Sequence, residues 1–531
     1  MRRIVLFLLS AVVASGCASA PPRPSPAGGP KLVVVLVVDQ MRTDYVDAIG
    51  PRFTAGFRRL LDHGAWFRNA AYSQLNTVTC AGHATIGTGA HPYRHGMVLN
   101  AWWDRQAARL NPCTADESVK NIGYMGTPSG GDSAAAMLVR PLAEQLGGAA
   151  RGRTVSLSLK ARSAITMAGR NPAAVVWFDD RAGWATSTAF TPTPIAWIQA
   201  FIDANPVAAD RGRRWERLLP ANAYDGVDDA VGERTPSGWT REFPHVLGEP
   251  AEQFLLHWQR SPFADAYLGR MAAHAIDTLD LGRGPGTDFL SVSFSTLDLV
   301  GHQYGPTSHE TQDVLFRLDQ TIGGLLDHLD ARLGRDGYVL ALSADHGVAT
   351  LPEQTGGDRQ SSTEIATVID TALAPLFGPG KYVARTVYTD IYLQPGIADR
   401  LRQSPQATAA VIDALRAMPG ITQAFVSDEL RRADARSSTD RVKRAAAFSY
   451  YAPRSGDILV APERNWLLST AATTHGTHHP YDQRVPVIFF GRGVAHGVHD
   501  QAATPADIAP TLAALAGAPF KATDGVVLLR R

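Results

Sequence analysis

Runs of consecutive apolar residues with the length of buried strands recur along the chain. The first, LVVVLVV at 32–38, has no polar position, which is typical of a strand covered on both faces of a parallel sheet. Similar runs follow at five places: TVSLSL (154–159), AAVVWF (173–178), FLSVSFS (289–295), YVLALSA (338–344) and VPVIFF (485–490). We interpret these runs as the strands of one central sheet.

Helical periodicity fills several of the intervals between the runs. Apolar residues recur at helical spacing in FTAGFRRLLDHG (53–64), DVLFRLDQTIGGLLDHLDARLG (313–334) and PADIAPTLAALAG (505–517). Because strands alternate with helices, the pattern predicts an α/β fold with a mostly parallel central sheet flanked by helices. We assign residues 31–531 to this domain.

Two regions interrupt the alternation. Residues of about 180–275 are rich in Trp, Pro and Arg and show no succession of strands. Residues of about 355–465 contain helical patterns of their own, DRQSSTEIATVIDTAL (358–373) and VIDALRAM (411–418). We expect both regions to be cap segments inserted into the fold; the alternative is a third independent domain.

Residues 1–30 have the pattern of an export segment rather than of a folded element. Two arginines, an apolar run at 4–14 and small residues indicate a signal peptide, too short to span a bilayer comfortably. Cleavage after ASA (18–20) and a lipobox ASGC (14–17) with Cys17 as the lipid anchor both fit. The lipobox predicts a periplasmic protein lipid-anchored to the outer membrane, on the Pro-rich tether PPRPSPAGGP.

Charge and cysteine content narrow the function classes. The 531 residues include 51 Lys and Arg and 50 Asp and Glu. The chain therefore has no excess of positive charge of the kind that indicates nucleic-acid binding. Small molecules are therefore the expected class of ligand. The sequence predicts no particular oligomeric state. Beyond the signal peptide, Cys80 and Cys113 can pair in an oxidising compartment, or Cys80 can serve as a small packing residue.

Side chains that can bind metals follow three of the predicted strands. Asp39 follows the first run, Asp298 and His302 follow the run ending at 295, and Asp345 and His346 follow the run ending at 344. In open α/β sheets, ligands bind beyond the carboxyl ends of the strands. A lone carboxylate there is more often a helix cap, but converging carboxylates repel one another unless a cation lies among them.

A late histidine-rich stretch, TTHGTHHPYD at 473–482, adds His475, His478 and His479 to the candidate ligands. Mixed ligation by His and Asp suits zinc. The sequence therefore predicts a zinc centre at the carboxyl edge of the sheet.

Seven motifs, in order, resemble the alkaline phosphatase superfamily and, within it, the phosphate-irrepressible bacterial alkaline phosphatases with a threonine nucleophile. They are VVDQMRTDY (37–45), NTVTCAGHATIGTG (76–89), HPYRHGMVLNAWWD (91–104), SLSLKARSAI (156–165), DLVGHQYGP (298–306), SADHG (343–347) and THG (474–476). The resemblance implies two zinc ions per chain, the first held by Asp39, Asp345, His346 and Thr79, the second by Asp298, His302 and His475. His478 and His479 are then expected to be supporting or solvent residues.

The resemblance also implies a catalytic role for the stretch LNTVTCAGHATIGTG at 75–89. By composition alone, this stretch could be a polar turn. It implies that Thr79, at the start of a helix, attacks phosphorus and forms a phosphothreonine. We expect the glycines to let the backbone approach the phosphoryl group, Thr77 and Thr85 to be structural, and His83 to be a supporting or packing residue. The run after Cys80 lacks the Cys-x-Pro-x-Arg pattern of sulfatases.

Three further residues bear on the substrate. The resemblance implies that the Asn100 amide donates to a phosphoryl oxygen. Lys160 and Arg162 stand two apart at the end of a predicted strand, which predicts that both lie on one face. Two solvated charges would explain this pair in isolation, but a monoester dianion has an extra charged oxygen that cations must meet, and the diesterase branch lacks the pair.

The sequence thus predicts an enzyme, a zinc-dependent phosphate monoester hydrolase that acts through a phosphothreonine and releases inorganic phosphate. One alternative is a phosphodiesterase or nucleotide pyrophosphatase of the same superfamily. The other is a non-catalytic zinc-binding lipoprotein.

Overall fold

The computed structural model of the chain describes residues 29–150, 152–521 and 524–530. The predicted signal peptide, with Cys17, lies outside the described residues. The strands are β1 (Leu32–Val38), β2 (Ala65–Phe67), β3 (Ala101–Asp104), β4 (Arg109–Pro112), β5 (Asn121–Gly123), β6 (Thr154–Ser158), β7 (Ala174–Asp179), β8 (Gly183–Ser187), β9 (Arg214–Trp215), β10 (His245–Val246), β11 (Asp288–Phe294), β12 (Tyr338–Ser343), β13 (Val383–Val387), β14 (Asp390–Leu393), β15 (Ile421–Val426), β16 (Ile458–Pro462), β17 (Val487–Gly491) and β18 (Gly497–His499).

The α-helices are α1 (Asp44–Ile49), α2 (Gly56–His63), α3 (Thr79–Thr88), α4 (Pro92–His95), α5 (Leu142–Ala150), α6 (Ala161–Ala168), α7 (Ala196–Ala204), α8 (Phe254–Gln259), α9 (Pro262–Thr278), α10 (Thr296–Tyr304), α11 (His309–Leu333), α12 (Pro352–Thr355), α13 (Ser362–Phe377), α14 (Ile397–Gln403), α15 (Pro405–Arg416), α16 (Ser427–Arg431), α17 (Arg441–Ser449), α18 (Pro480–Gln483) and α19 (Ile508–Ala516). Short 3₁₀ turns lie at Gly50–Arg52, Val207–Asp210, Ala221–Ala223, Ala251–Gln253, Ala433–Ser437 and Pro505–Asp507.

One large sheet organises the molecule, in the strand order β18-β2-β17-β12-β1-β11-β6-β7-β8-β5. The five strands from β12 to β7 run parallel to one another, whereas β17 pairs antiparallel with β12 and β8 pairs antiparallel with β7. The predicted α/β fold with a mostly parallel sheet is confirmed.

Strand β1 lies at the middle of the sheet, and its side chains feed two cores. Val33, Val35 and Val37 pack in a cluster with residues of α19 on one face. Leu36 and Val38 pack on the other face, in the cluster that contains residues of α9 and α11. An all-apolar strand is required because both faces are covered.

The two predicted cap regions differ in their relation to the sheet. Residues 183–187, inside the predicted region of about 180–275, form β8 of the central sheet, so the segment outside the sheet begins after this strand. The second region contains its own four-stranded antiparallel sheet, in the order β13-β14-β16-β15, with α13 and α15 sharing its core. Within the described ranges, no helix has both the length and the apolar content to cross a membrane.

Candidate active site

The carboxyl ends of three adjacent parallel strands carry the predicted ligands. Asp39 directly follows β1, Asp345 lies two residues beyond β12, and Asp298 lies in α10, which begins two residues after β11. Because β12, β1 and β11 are neighbours in the sheet, these carboxylates meet at one edge. All three are buried.

A first group joins Asp39, Asp345 and His346. His346 Nε2 lies 3.5 Å from Asp39 Oδ1 and 3.4 Å from Asp345 Oδ2. The Thr79 hydroxyl oxygen lies 3.3 Å from the same His346 nitrogen. The structure thus brings together all four residues predicted for the first metal.

A second group is centred on Asp298. Its Oδ1 lies 3.2 Å from His302 Nε2, one helical turn away on α10, and 3.7 Å from His475 Nε2. His346 adjoins this group as well, because its ring stacks on that of His475 with centroids 3.5 Å apart. Ligand atoms of Asp298, His346 and His475 lie within 4.8 Å of one another, so His346 stands between the two groups.

Backbone carbonyls fix the orientation of all three histidine rings. Nδ1 of His302 faces Thr473 O at 2.9 Å, Nδ1 of His346 faces Gly347 O at 2.9 Å, and Nδ1 of His475 faces Thr77 O at 2.8 Å. A carbonyl can only accept, so each Nδ1 carries a proton, and in the neutral ring each Nε2 then presents a lone pair. This tautomer makes every Nε2 available as a ligand.

The donor atoms of the first group fit a bound cation. Asp39 Oδ1 and Asp345 Oδ2 are buried and accept no hydrogen bond, although His83 Nδ1 lies 3.1 Å from the latter. Burial raises the pKa of the Asp39 carboxyl well above its ordinary value, and the charges of Asp298 and Asp345 raise it further. Buried carboxylate oxygens and an imidazole nitrogen that face one another suit a divalent metal with mixed N and O ligands.

Thr79 is the first residue of α3, whose N-terminus faces this edge. The predicted helix after Thr79 is therefore present, and Thr77 and Thr85 bond to backbone carbonyls. Gly82 has a packing role, because a Cβ on it would lie 2.1 Å from Asp345 O; its lack of a side chain lets α3 pack against the segment that carries Asp345 and His346.

Asn100 lies beside the start of this helix. Its Oδ1 accepts a hydrogen bond from Cys80 N at 2.8 Å. Since the oxygen of the amide is used in this way, Nδ2 is the group left to donate toward a substrate.

The spacing predicted that Lys160 and Arg162 lie at the end of a strand. The structure instead places both at the start of a helix. Strand β6 ends at Ser158, Lys160 is the N-cap of α6, and Arg162 lies in the first turn of that helix. The chain turns at this point because the Lys160 N–H bonds to Ser158 Oγ at 3.1 Å. Both side chains line a cavity of about 680 Å³, together with Asp132.

The Lys160 ammonium links the two groups of candidate ligands. Its Nζ donates to Asp39 Oδ2 at 2.6 Å and to Asp298 Oδ2 at 2.5 Å. An ammonium has three N–H donors, so one remains for a substrate oxygen. Burial alone would raise the pKa of Asp298, but the Lys160 charge and the His302 ring lower it well below its usual range.

Gln40 is a residue of the site that the sequence reasoning missed. Its backbone N–H donates to Asp345 Oδ1 at 3.1 Å and its side-chain Nε2 donates to Asp298 Oδ1 at 2.7 Å. Gln40 has a φ of 71°, unusual for a residue other than glycine. A Cβ on Gly301 would lie 1.9 Å from Gln40 Oε1, so that glycine makes room for it. The motif contained Gln40, but nothing local marked its conformation.

The remaining candidates have supporting positions. His83 contacts Thr79 O at 2.9 Å and Ser293 Oγ at 2.7 Å, and His479 Nε2 contacts Pro462 O at 3.0 Å. Cys80 is more than a packing residue, because it forms a disulfide with Cys113.

The chain matches the family described as type I phosphodiesterase / nucleotide pyrophosphatase over residues 33–482. That span contains every candidate ligand described above. The chain belongs to this family. The protein is therefore an enzyme, a phosphoester hydrolase.

Several curated relatives of the chain carry the name alkaline phosphatase. PafA of Elizabethkingia meningoseptica is 31% identical over 529 residues, covering 96% of this chain and 95% of the relative. PhoV of Synechococcus elongatus is 30% identical over 531 residues, covering 96% and 94%. The resemblance to bacterial alkaline phosphatases is confirmed.

Solved structures agree with this placement. The crystal structure of wild-type alkaline phosphatase PafA matches the structure of this chain with a TM-score of 0.84 at 29% identity. The match covers 96% of this chain and 99% of that one. Murine ectonucleotide pyrophosphatase / phosphodiesterase 5 matches with a TM-score of 0.54 at 12% identity, which reflects the shared fold alone.

Proposed function

We propose that the protein hydrolyses phosphate monoesters through a phosphothreonine on Thr79, with two zinc ions bound at the two groups of ligands. The observation that carries this proposal is the Thr79 hydroxyl, 3.3 Å from His346 Nε2 at the point where the two groups meet. Bound there, two zinc ions would lower the pKa of this hydroxyl and neutralise charge on the attacking and leaving oxygens.

In the first step, Thr79 Oγ forms a bond to phosphorus as the bond from phosphorus to the alcohol oxygen breaks. The products are a phosphothreonine and the alcohol, which takes up the proton that the threonine has lost. A water molecule then attacks the phosphothreonine. The bond from phosphorus to Oγ breaks, inorganic phosphate leaves, and the Thr79 hydroxyl is restored.

The chain supplies three kinds of partner for the non-reacting phosphoryl oxygens: backbone N–H groups, a side-chain amide and cationic side chains. The α3 N-terminus offers backbone N–H groups and a partial positive charge to the incoming phosphate. Asn100 Nδ2 is free to donate, since its amide oxygen bonds to Cys80 N. Lys160 and Arg162 border the adjoining cavity and supply positive charge.

Phosphodiester hydrolysis is the second candidate, favoured by the description of the family that the chain matches. Two observations support monoesters instead. The relatives with the alkaline phosphatase name cover nearly the whole chain. Lys160 and Arg162 line one cavity, Lys160 also bonds to Asp39 of the first group of ligands, and a monoester has the additional charged oxygen that these two cations can meet.

Rates on an aryl phosphate monoester and on its methyl diester, measured on zinc-loaded protein, test this proposal. We expect kcat/KM to favour the monoester by orders of magnitude. A preference for the diester would establish the second candidate. If zinc-loaded protein hydrolyses neither substrate, the protein is a non-catalytic zinc-binding protein.

We further propose that the enzyme acts in the periplasm on small phosphate monoesters, after export and lipid attachment at Cys17. The support is the sequence of residues 1–30, with its basic start, apolar run, lipobox-like ASGC and Pro-rich tether. The near balance of acidic and basic residues gives no basis for a nucleic-acid partner.

A further inference from the structure

Both half-cystines of the Cys80–Cys113 disulfide are hydrogen-bonded to Asn100. The Cys80 N–H donates to the side-chain Oδ1 of Asn100 at 2.8 Å. The Cys113 N–H donates to the backbone carbonyl of Asn100 at 2.9 Å. The disulfide joins the other ends of these two links, so it closes a ring that contains Asn100.

The ring connects two separate parts of the site. Cys80 follows Thr79 in the first turn of α3. Asn100 and Cys113 flank β3 and β4, which form a two-stranded sheet of their own in which Ala101 pairs with Pro112. A two-stranded hairpin has little stability by itself. The disulfide therefore fixes the open end of the hairpin to the helix that carries the nucleophile.

This link also determines how the Asn100 amide is turned. Cys80 N occupies the amide oxygen, so the amide nitrogen is the group left to donate to a ligand. Both cysteine side chains are buried, in a core that also contains Met97, Val98 and Leu99 just before Asn100. A shift of the hairpin would move the amide relative to Thr79.

We propose that the Cys80–Cys113 disulfide is a positioning device for catalysis, which holds the Asn100 amide at a fixed place relative to the Thr79 hydroxyl. This inference rests on the proposed function, in which Asn100 Nδ2 donates to a phosphoryl oxygen. Cys80 and Cys113 are positioning residues, and their effect on rate passes through Asn100. A role in stability alone would leave the contribution of Asn100 intact.

A double-mutant cycle separates these roles. Its members are the wild type, Asn100→Ala, the cystine-free Cys80→Ala/Cys113→Ala variant, and the combination of all three changes. We expect Asn100→Ala to lower kcat/KM for an aryl phosphate about tenfold to a hundredfold, the worth of a hydrogen bond to a charged oxygen. The cystine-free variant should lose roughly tenfold, as small misplacements of a positioned group do.

The decisive result is the combination. If the disulfide acts through Asn100, the combined variant should be no slower than Asn100→Ala alone. Leu110→Ala, at a partly exposed position of β4, is the control for changes in the same hairpin and should retain wild-type rates. Circular dichroism and zinc content are measured on every variant, so that unfolding or metal loss is recognised.

Three outcomes overturn the inference while the proposed function stands. They are free thiols at both cysteines of the oxidised wild type, a cystine-free variant with wild-type kcat/KM, and fully additive losses in the combined variant. An inactive, zinc-loaded wild type would instead overturn the proposed function and this inference together. Should the cystine-free variant not fold, the same comparison is made on wild type and Asn100→Ala before and after dithiothreitol transfers two electrons and two protons to the cystine.

Discussion

At the scale of single residues, Asp298 shows how the site is held together. Its Oδ1 accepts from Gln40 Nε2 at 2.7 Å and its Oδ2 accepts from Lys160 Nζ at 2.5 Å. Gln40 also donates its backbone N–H to Asp345. Gln40 thus orients one carboxylate in each group of ligands, Asp345 in the first and Asp298 in the second. A backbone conformation such as that of Gln40 costs about 1–3 kcal/mol, so it persists only where its surroundings require it.

Removing the Gln40 side chain should weaken metal binding. We expect Gln40→Ala to lower zinc affinity about tenfold to a hundredfold, the effect typical of losing a partner that orients a ligand. Zinc titration of metal-free protein measures this. Gln40→Gly is the matched variant, because it removes the same amide while relaxing the backbone at a φ of 71°. Wild-type affinity in the glycine variant would show that the side chain does not orient the ligands.

Arg162 and Lys160 should affect substrate choice differently. Arg162 lines the cavity, whereas Lys160 also bonds to Asp39 and Asp298. We expect Arg162→Ala to lower kcat/KM for monoesters about tenfold to a hundredfold, with diester hydrolysis changing far less. Lys160→Ala should lower kcat/KM for both monoesters and diesters, since the two buried carboxylates of Asp39 and Asp298 lose their cation. Equal losses on both substrates in Arg162→Ala would falsify its specificity role.

At the scale of elements, the position of α3 depends on a close contact. A Cβ on Gly82 would lie 2.1 Å from the backbone oxygen of Asp345. The helix and the segment that carries Asp345 can approach each other this closely only if residue 82 has no side chain. The distance from Thr79 to His346 follows from that contact.

Gly82→Ala should therefore destabilise the protein by about 1–3 kcal/mol, the usual cost of overpacking, or more. Denaturant unfolding monitored by fluorescence gives the change in free energy of unfolding. Gly324→Ala is the control in α11, where an added Cβ meets nothing within 4 Å. It should be neutral or stabilising by up to about 1 kcal/mol, as alanine is the better helix former. Similar losses at both positions would contradict the packing account.

Much of the fold was predictable at this scale because it depends on local patterns. The all-apolar run at 32–38 is β1, and the periodic run at 313–334 follows α11 to its last residue, Leu333, and ends on its C-cap, Gly334. The candidate metal ligands could be proposed because strand ends converge and the motifs are specific. The position of Lys160 could not, since SLSLK continues an alternating pattern while Ser158 Oγ captures the Lys160 N–H and turns the chain.

Other features depend on contacts between distant segments, which a local pattern does not encode. The positive φ of Gln40 is compensated by Asp345 and Asp298, both far along the chain. The Cys80–Cys113 pair was one of two possibilities in the sequence, and the hairpin of β3 and β4 brings it together.

At the scale of the whole molecule, the central sheet assembles the site from remote segments. The contact of His475 with Thr77 joins residues 398 apart in the chain. The site therefore depends on the complete domain, and the predicted export segment lies before its first strand.

The lipobox interpretation predicts how the chain is processed. Cys17→Ser should abolish lipid attachment and leave a precursor that is uncleaved or soluble, because the modified thiol is gone. Membrane fractionation and mass spectrometry of the mature N-terminus measure this. A wild-type N-terminus that begins after residue 20 would instead establish ordinary signal-peptide cleavage.

The central claim is that Thr79 carries the phosphoryl group during turnover. The most direct measurement is acid quenching of zinc-loaded enzyme during hydrolysis of an aryl phosphate, followed by peptide mass spectrometry. We predict one phosphoryl group on Thr79 and none in Thr79→Ala, whose turnover should fall by well over tenfold, a loss of more than ~1.4 kcal/mol of transition-state stabilisation, while zinc stays bound. A phosphoryl group on another residue, or Thr79→Ala turning over within about tenfold of wild type, would contradict it.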